Sequence, residues 1–287
     1  MDLILSGFSQ GLLWSLMAIG VYITFRILHI ADLTVEGSYP LGAAVAAMAL
    51  VNGVNPLIAT LMATVAGALA GMISGILHTK LKIQALLAGI VTLTALYSIN
   101  LKIMGKANIS LLKKTTLVTM LQDWGLSKEI SVLVIGLVFL IVVILVLTVF
   151  FKTQVGLALR ASGDNNSMAE ANGINVDFMK ILGYMISNSL VALSGALLAQ
   201  NNGYADLNSG VGTIVIALAS IMIGEAILRN VSLPIRFTSV VFGSVVYRMI
   251  ILSILTTPVI DADLVRLFSA ILLALILSLP ELKKKFN

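Results

Sequence analysis

The sequence predicts an all-α, polytopic membrane protein, and two observations support that prediction. Hydrophobic residues make up 59% of the 287 residues, charged residues only 11%, and the mean hydropathy is +1.06. Soluble domains carry about one-quarter charged residues, so this chain is far too apolar for an aqueous fold. The apolar residues also form long runs, such as Ile130 to Phe151, which holds no charged residue. About 20 helical residues cross the roughly 30 Å of hydrocarbon in a bilayer.

Nine apolar segments follow from these runs, some of them too short to span a membrane alone. They are 3–25, 38–51, 56–79, 83–104, 130–151, 180–201, 209–228, 236–255 and 262–279. The whole chain, 1–287, is interpreted as a single transmembrane domain. The first segment is interpreted as a retained helix rather than a signal peptide, because Met1 and Asp2 give no basic n-region and no small-residue cleavage site follows.

Cysteine content and charge exclude other classes of protein. The chain has no cysteine, so it has neither a disulfide framework nor a thiolate metal site. His29 and His78 are isolated from other metal-binding residue types. The net charge of +5 does not indicate nucleic-acid binding, because the basic residues concentrate in loops and at the C-terminus, as they do on the cytoplasmic side of membrane proteins.

Basic residues orient the predicted segments. One face carries most of them, and the positive-inside rule assigns that face to the cytoplasm. They are Lys80, Lys82, Lys152, Arg160, Lys180, Arg229, Arg236 and Lys283 to Lys285. The loops 201–208 and 256–263 carry no basic residue and are placed outside. The same count places the lysine-containing stretch 105–129 outside, where its amphipathic pattern allows it to lie along the interface and to receive a soluble partner.

The polar loop from about 152 to 180 carries signals for two short helices. Thr153 can cap the first and Gly163 can end it. Asp164 or Asn165 can cap the second, and Gly173 can end it. Turns between membrane helices are usually shorter, so this loop is interpreted as a compact knob that docks on another protein.

The order of residues in this knob resembles a known loop. Thr153-x-x-Gly156-x-Ala158-Leu159-Arg160-Ala161-x-Gly163-x-Asn165-x-x-Met168-Ala169-x-x-x-Gly173-Ile174 is similar to the cytoplasmic coupling loop of permeases in the branched-chain amino acid and ribose class of ABC importers. Its second half is also loosely similar to the EAA loop of other ABC import permeases. The resemblance implies that the loop inserts into a groove on a separate ATPase subunit. The implied coupling residues are Arg160, Gly163, Asp164, Asn165, Met168, Ala169, Glu170 and Gly173.

The same resemblance implies a set of partners in a prokaryotic cell membrane. They are two ATPase subunits, an extracellular or periplasmic substrate-binding protein, and a second permease subunit, which is a second copy of this chain unless another permease exists. The sequence holds no Gly-x-x-x-x-Gly-Lys-Ser/Thr string. ATP and magnesium are therefore expected on the ATPase, with no cofactor and no enzymatic activity in this chain.

A second resemblance lies around Asp32. The string Asp32-Leu-Thr34-Val-Glu36-Gly-Ser38-x-Pro40-Leu-Gly42-Ala43 is similar to a subgroup of the same permease class that is associated with aromatic amino acid uptake. Gly37 and Pro40 predict a break before a short helix, and such interrupted segments form transport paths. Polar residues that could line a path are Asp32, Thr34, Glu36, Thr92, Thr94, Tyr97, Asn100, Asn188, Glu225 and Arg248.

Two further patterns concern helix contacts. Arg248 lies near the middle of its segment, where a charge costs about 2.5–3.5 kcal/mol or more unless it faces protein or water. Glu225 is its predicted partner in a pair that locks two helices, and contact with the substrate is the alternative. Gly67, Gly71 and Gly75 lie on one helix face and predict close helix packing within the membrane rather than a dimer interface.

Three alternatives stay open on the sequence alone. An ion-coupled secondary transporter would use intramembrane acids, but Glu225 is nearly the only deep one and no internal repeat is evident. A membrane enzyme would need a catalytic constellation, which the chain does not show. Within the permease class, the substrate could be a sugar or a nucleoside instead of an amino acid.

Overall fold

A computed structural model describes residues 2–227 and 232–255, together with positions 267, 270, 271, 273 and 274. Most of the predicted segment 262–279 lies outside the described residues, as do Arg229 and the C-terminal lysines. Within the described part, seven helical stretches are long and apolar enough to cross a membrane, and one shorter apolar helix accompanies them. The prediction of an all-α membrane protein with several spans is confirmed.

The helices follow one another along the chain with short connections. They are α1 (Asp2–Tyr22, extended by a π-helical turn, Ile23–Ile27), α2 (Val35–Val51), α3 (Pro56–Thr79), α4 (Ala85–Met104), α5 (Leu117–Gln122), α6 (Lys128–Phe150), α7 (Gln154–Asp164), α8 (Asn166–Ala171), α9 (Val176–Asn202), α10 (Thr213–Ile227) and α11 (Leu233–Leu255). Two short strands, β1 (Asn108–Ser110) and β2 (Tyr204–Asp206), and a 3₁₀ turn (Leu207–Gly210) that precedes α10 complete the described part.

Helix α9 is the centre of the fold and packs against α1, α2 and α3. Helix α3 approaches α9 closely because glycines of α3 face the α9 backbone. A β-carbon at Gly67 would overlap the carbonyl oxygen of Asn188, and one at Gly71 would overlap that of Tyr184. The glycine repeat therefore serves packing between α3 and α9 within one chain, as the sequence predicted.

The strands pair antiparallel, with Asn108 opposite Asp206. This pairing places 105–129 and 201–208 at the same end of the bundle, as the count of segments predicted although the lysines of 105–129 run against the positive-inside rule. At the other end, Lys80 Nζ lies 3.2 Å from Asp177 Oδ2 and joins the end of α3 to the start of α9. Both of those positions were predicted to be cytoplasmic.

Helix α2 differs from the prediction at its start. The expected break at Gly37 and Pro40 is wrong, because α2 begins at Val35 and runs through both residues. Pro40 removes the amide that would bond the carbonyl of Glu36. That carbonyl instead lies against the backbone of Gly210, where a β-carbon would overlap it. Asn100 Nδ2 also donates to the carbonyl oxygen of Gly37 at 3.2 Å, so α4 supports the same turn.

Candidate functional site

The knob predicted from the sequence exists as α7 and α8. Thr153 Oγ1 accepts a hydrogen bond from Gly156 N at 3.2 Å, and Asn165 Oδ1 accepts one from Met168 N at 3.0 Å. These side chains satisfy amides that the start of a helix leaves unpaired. Gly173 follows α8 with φ +78°, a conformation that suits glycine. The structure selects Asn165, not Asp164, as the second cap.

Gly163 lies inside α7 and does not end it, so that part of the prediction was wrong. Helix α7 continues to Asp164 and stops where Asn165 adopts an extended backbone to cap α8. A β-carbon at Gly163 would overlap the carbonyl oxygen of Ile27. The position requires glycine because two backbones touch there, and this contact attaches the knob to the end of α1.

The coupling candidates divide into an outward and an inward set. Met168 is 66% exposed, and the charged side chains of Arg160, Asp164 and Glu170 are also exposed. Ala169 is only 3% exposed, so it packs against its own chain and offers no surface to a partner. An exposed, flexible methionine among polar residues is suited to contact with another protein.

Three of the predicted path residues form one buried cluster. Asp32 Oδ1 accepts from Thr34 N at 2.9 Å, and its Oδ2 accepts from Asn188 Nδ2 at 2.8 Å. The hydroxyls of Thr34 and Ser74 are 2.7 Å apart, and Ser38 Oγ donates to Asn188 Oδ1 at 2.7 Å. The cluster fastens the segment before α2 to α3 and α9. No sequence pattern indicated that Ser74 belongs to this cluster.

Glu36 reaches a different helix. Its Oε1 accepts from Gly212 N at 3.0 Å, directly before α10 begins at Thr213. Helix α10 has 15 residues, or about 22 Å at 1.5 Å per residue, so the regular helix is shorter than the hydrocarbon layer. A carboxylate at its start is favourable because the helix dipole is positive there. Glu36 therefore joins two short helices, α2 and α10.

The candidates on α4 separate by exposure. Thr92 and Asn100 are buried and bond within the chain, at Ala88 O and Gly37 O. The outward face of α4 carries four polar or partly polar side chains at helical spacing. They are Thr94, Tyr97, Ser98 and Lys102. Ser98 and Lys102 were not predicted, although their spacing from Thr94 could have indicated them.

The predicted pair of Arg248 and Glu225 is wrong. Arg248 Nη2 donates to Gln10 Oε1, and Glu225 pairs with Arg26. The reason is position along the bundle: α11 packs Arg248 against the outer half of α1, whereas Glu225 lies near the cytoplasmic end of α10, where α1 presents Arg26. Gln10 is uncharged, so charge counting could not identify it.

Comparison with known proteins identifies transport permeases in each case. Residues 3–277 match the family model described as the permease component of branched-chain amino acid transport systems. A tyrosine transport system permease of Clostridioides difficile strain R20291 is 42% identical over 99% of this chain and 94% of its own length. A ribose import permease of Bacillus subtilis strain 168 is 31% identical over 69% of this chain and 61% of its own length.

The fold has a solved counterpart. A structure assigned to a metal-chelate type ABC transporter in an inward-facing conformation superposes with a TM-score of 0.53. The alignment covers 98% of this chain and 85% of the other, at 14% sequence identity. At that identity the likeness concerns the fold alone.

Proposed function

Because this chain belongs to the family of permease components of branched-chain amino acid transport systems, we propose that it forms half of the pathway of an ATP-driven amino acid importer. The knob of α7 and α8 is the observation that carries the proposal. It exposes Met168 and charged side chains on the predicted cytoplasmic side and is attached to α1 at Gly163. Family membership favours ATP-driven transport over the ion-coupled alternative.

The knob docks on a separate ATPase subunit, which binds ATP and magnesium. Closure of the ATPase pair moves the two knobs together, and the contact between Gly163 and Ile27 passes this movement to the segment before α2. Asp32 connects that segment to α9, and Glu36, in the first turn of α2, connects α2 to α10. Rigid helices that switch between two packings produce alternating access in this way.

The pathway lies between two copies of the chain, at the outward face of α4. Thr94, Tyr97, Ser98 and Lys102 give that face a polar stripe, which is costly against lipid hydrocarbon and suits a water-filled path. Helix α4 also exposes apolar side chains, including Val91 and Leu101, but the side chains that α6 exposes between positions 137 and 149 are all apolar and suit lipid. These are Leu137, Val138, Ile141, Val142, Leu145, Val146 and Val149.

The outer end receives the substrate-binding protein. There β1, β2 and α5 form a surface on which Trp124 is 81% exposed and Leu112 is 77% exposed. Lys113 and Lys114 are exposed on the same surface. A protein with acidic and apolar groups around its substrate cleft is complementary to this surface.

The substrate is an amino acid, and an aromatic one fits best. The tyrosine permease of C. difficile aligns over nearly its whole length, and Tyr97 and Lys102 could meet an aromatic ring and a carboxylate in the path. The aligned ribose permease favours the second candidate, a sugar. Ribose has no carboxylate, so dependence of uptake on Lys102 separates the two candidates.

The test uses the permease reconstituted in liposomes with its ATPase and binding protein. Met168→Asp should weaken ATPase binding by about thirtyfold, because losing one interface hot spot costs at least about 2 kcal/mol. ATP-dependent uptake of labelled tyrosine should fall with it, while the unfolding temperature of the permease stays unchanged. Leu112→Asp, an exposed apolar residue at the opposite end, is the matched control and should keep ATPase binding. Normal ATPase binding by Met168→Asp would contradict the proposal.

A further inference from the structure

A cavity at the predicted cytoplasmic end borders the knob, and the transport scheme above gives it no ligand. Arg160 and Asp164 belong both to its lining and to the exposed charged side chains of the knob. The cavity has a volume of about 400 Å³ and lies between α1, α6, α7 and α11. Four basic side chains line it, and Asp164 is the one carboxylate among its lining residues in the described part of the chain. The four are Arg26, Lys152, Arg160 and Arg236.

Two of these basic side chains, Lys152 and Arg160, are available to an anion. Glu225 pairs with Arg26, and Asp164 lines the cavity beside Lys152 and Arg160. The three ion pairs within the described residues do not include Lys152 or Arg160. Both side chains are exposed, so they are free to bind an anion.

Part of the remaining wall is apolar, and this part continues towards the membrane along α6. Phe151, Leu233 and Pro234 line the cavity beside the cations. Thr148 of α6 also lines it, and Leu145 and Ile141 continue the same helix face towards the membrane centre with 60% and 54% exposure. A groove of this kind combines a polar, cationic end with an apolar strip of helix. Its shape and chemistry match an amphiphile more closely than a small inorganic anion.

We propose that this cavity binds the headgroup phosphate of an anionic phospholipid from the cytoplasmic leaflet. Lys152 and Arg160 contact the phosphate, and the acyl chains lie along Leu145 and Ile141 of α6. Basic pockets between membrane helices on the cytoplasmic side bind anionic headgroups by the same chemistry. Since Arg160 belongs to α7, a bound lipid also holds the knob against α1 and α11.

The test measures lipid binding directly and does not depend on transport. The purified permease is titrated with detergent micelles that carry phosphatidylglycerol, with micelles that carry phosphatidylcholine, and with inorganic phosphate. The unfolding temperature is recorded at each concentration. Phosphatidylglycerol should raise it saturably, and phosphatidylcholine should not. The double variant Lys152→Gln/Arg160→Gln should bind phosphatidylglycerol about thirtyfold more weakly, or about fivefold for each cation removed.

A control variant removes two basic residues from the opposite end. Lys106→Gln/Lys113→Gln has the same loss of charge, both residues are exposed, and it should retain the wild-type response. Equal affinity of wild type and Lys152→Gln/Arg160→Gln would overturn the proposal, as would an equal response to phosphatidylcholine. A full response to inorganic phosphate alone would also overturn it and would identify a site for free phosphate.

Discussion

Asn188 offers the most direct test of the buried cluster. Its amide nitrogen donates to Asp32 Oδ2 at 2.8 Å, and its amide oxygen accepts from Ser38 Oγ at 2.7 Å. Asp32 is 3% exposed and Asn188 is fully buried, so water cannot replace either bond. Asn188→Asp keeps the side-chain volume but turns the donor into a second carboxyl oxygen. Leaving buried hydrogen-bonding groups unsatisfied costs about 1–3 kcal/mol for each group.

The exchange variant Asp32→Asn/Asn188→Asp should recover much of that loss. An amide at position 32 can donate to a carboxylate at position 188, and Ser38 can still donate to the same carboxylate. Thr34 N can still donate to the side-chain oxygen at position 32. What the exchange does not restore is the bond from Asn188 Nδ2 to Tyr184 O, which is 3.0 Å long. A coupling of about 1–3 kcal/mol between the two positions is therefore expected.

Thermal unfolding in detergent, followed by tryptophan fluorescence, measures both effects. Asn188→Asp should lower the unfolding temperature by on the order of 10 °C, and the exchange variant should melt clearly above it. Asn202→Asp is the matched control, because it makes the same change at an exposed position of α9 and should melt close to wild type. If the exchange variant melts no higher than Asn188→Asp, the bond between Asp32 and Asn188 does not hold the cluster together.

Two further predictions concern the dimer and the knob. Tyr97→Cys should give dimers with a bifunctional maleimide in native membranes, whereas Val142→Cys on α6 should stay monomeric; the reverse result would place the second copy on α6 instead of α4. Gly163→Ala should lower the unfolding temperature, because the new methyl group would overlap the carbonyl of Ile27. Alanine otherwise stabilises a helix interior by about 1 kcal/mol relative to glycine, so a higher unfolding temperature would show that α7 is not held there.

Local patterns predicted the features that depend on local chemistry. The apolar runs predicted most of the spans. Thr153 was predicted as the first cap and either Asp164 or Asn165 as the second, because capping involves residues three positions apart. Pairings between residues far apart in the sequence were harder to predict. Arg248 was assigned to Glu225 because both are charged, but helix packing brings Arg248 to the neutral amide of Gln10. Gly163 was interpreted as a helix end because its contact with Ile27 is not visible in sequence.

The segment from the end of α1 to the start of α2 connects the knob to α9 and α10. It touches the knob at Ile27, is fastened to α9 through Asp32, and reaches α10 through Glu36. The contact at Ile27 is between two backbones, and the contact of Asp32 with Asn188 is buried. The segment therefore cannot absorb a movement of α7 by side-chain rotation alone. A displacement of the knob must then shift α2 against α9 or move the bond between Glu36 and Gly212. Because α10 begins at that bond, its first turn is where movement of the cytoplasmic knob would reach the membrane interior.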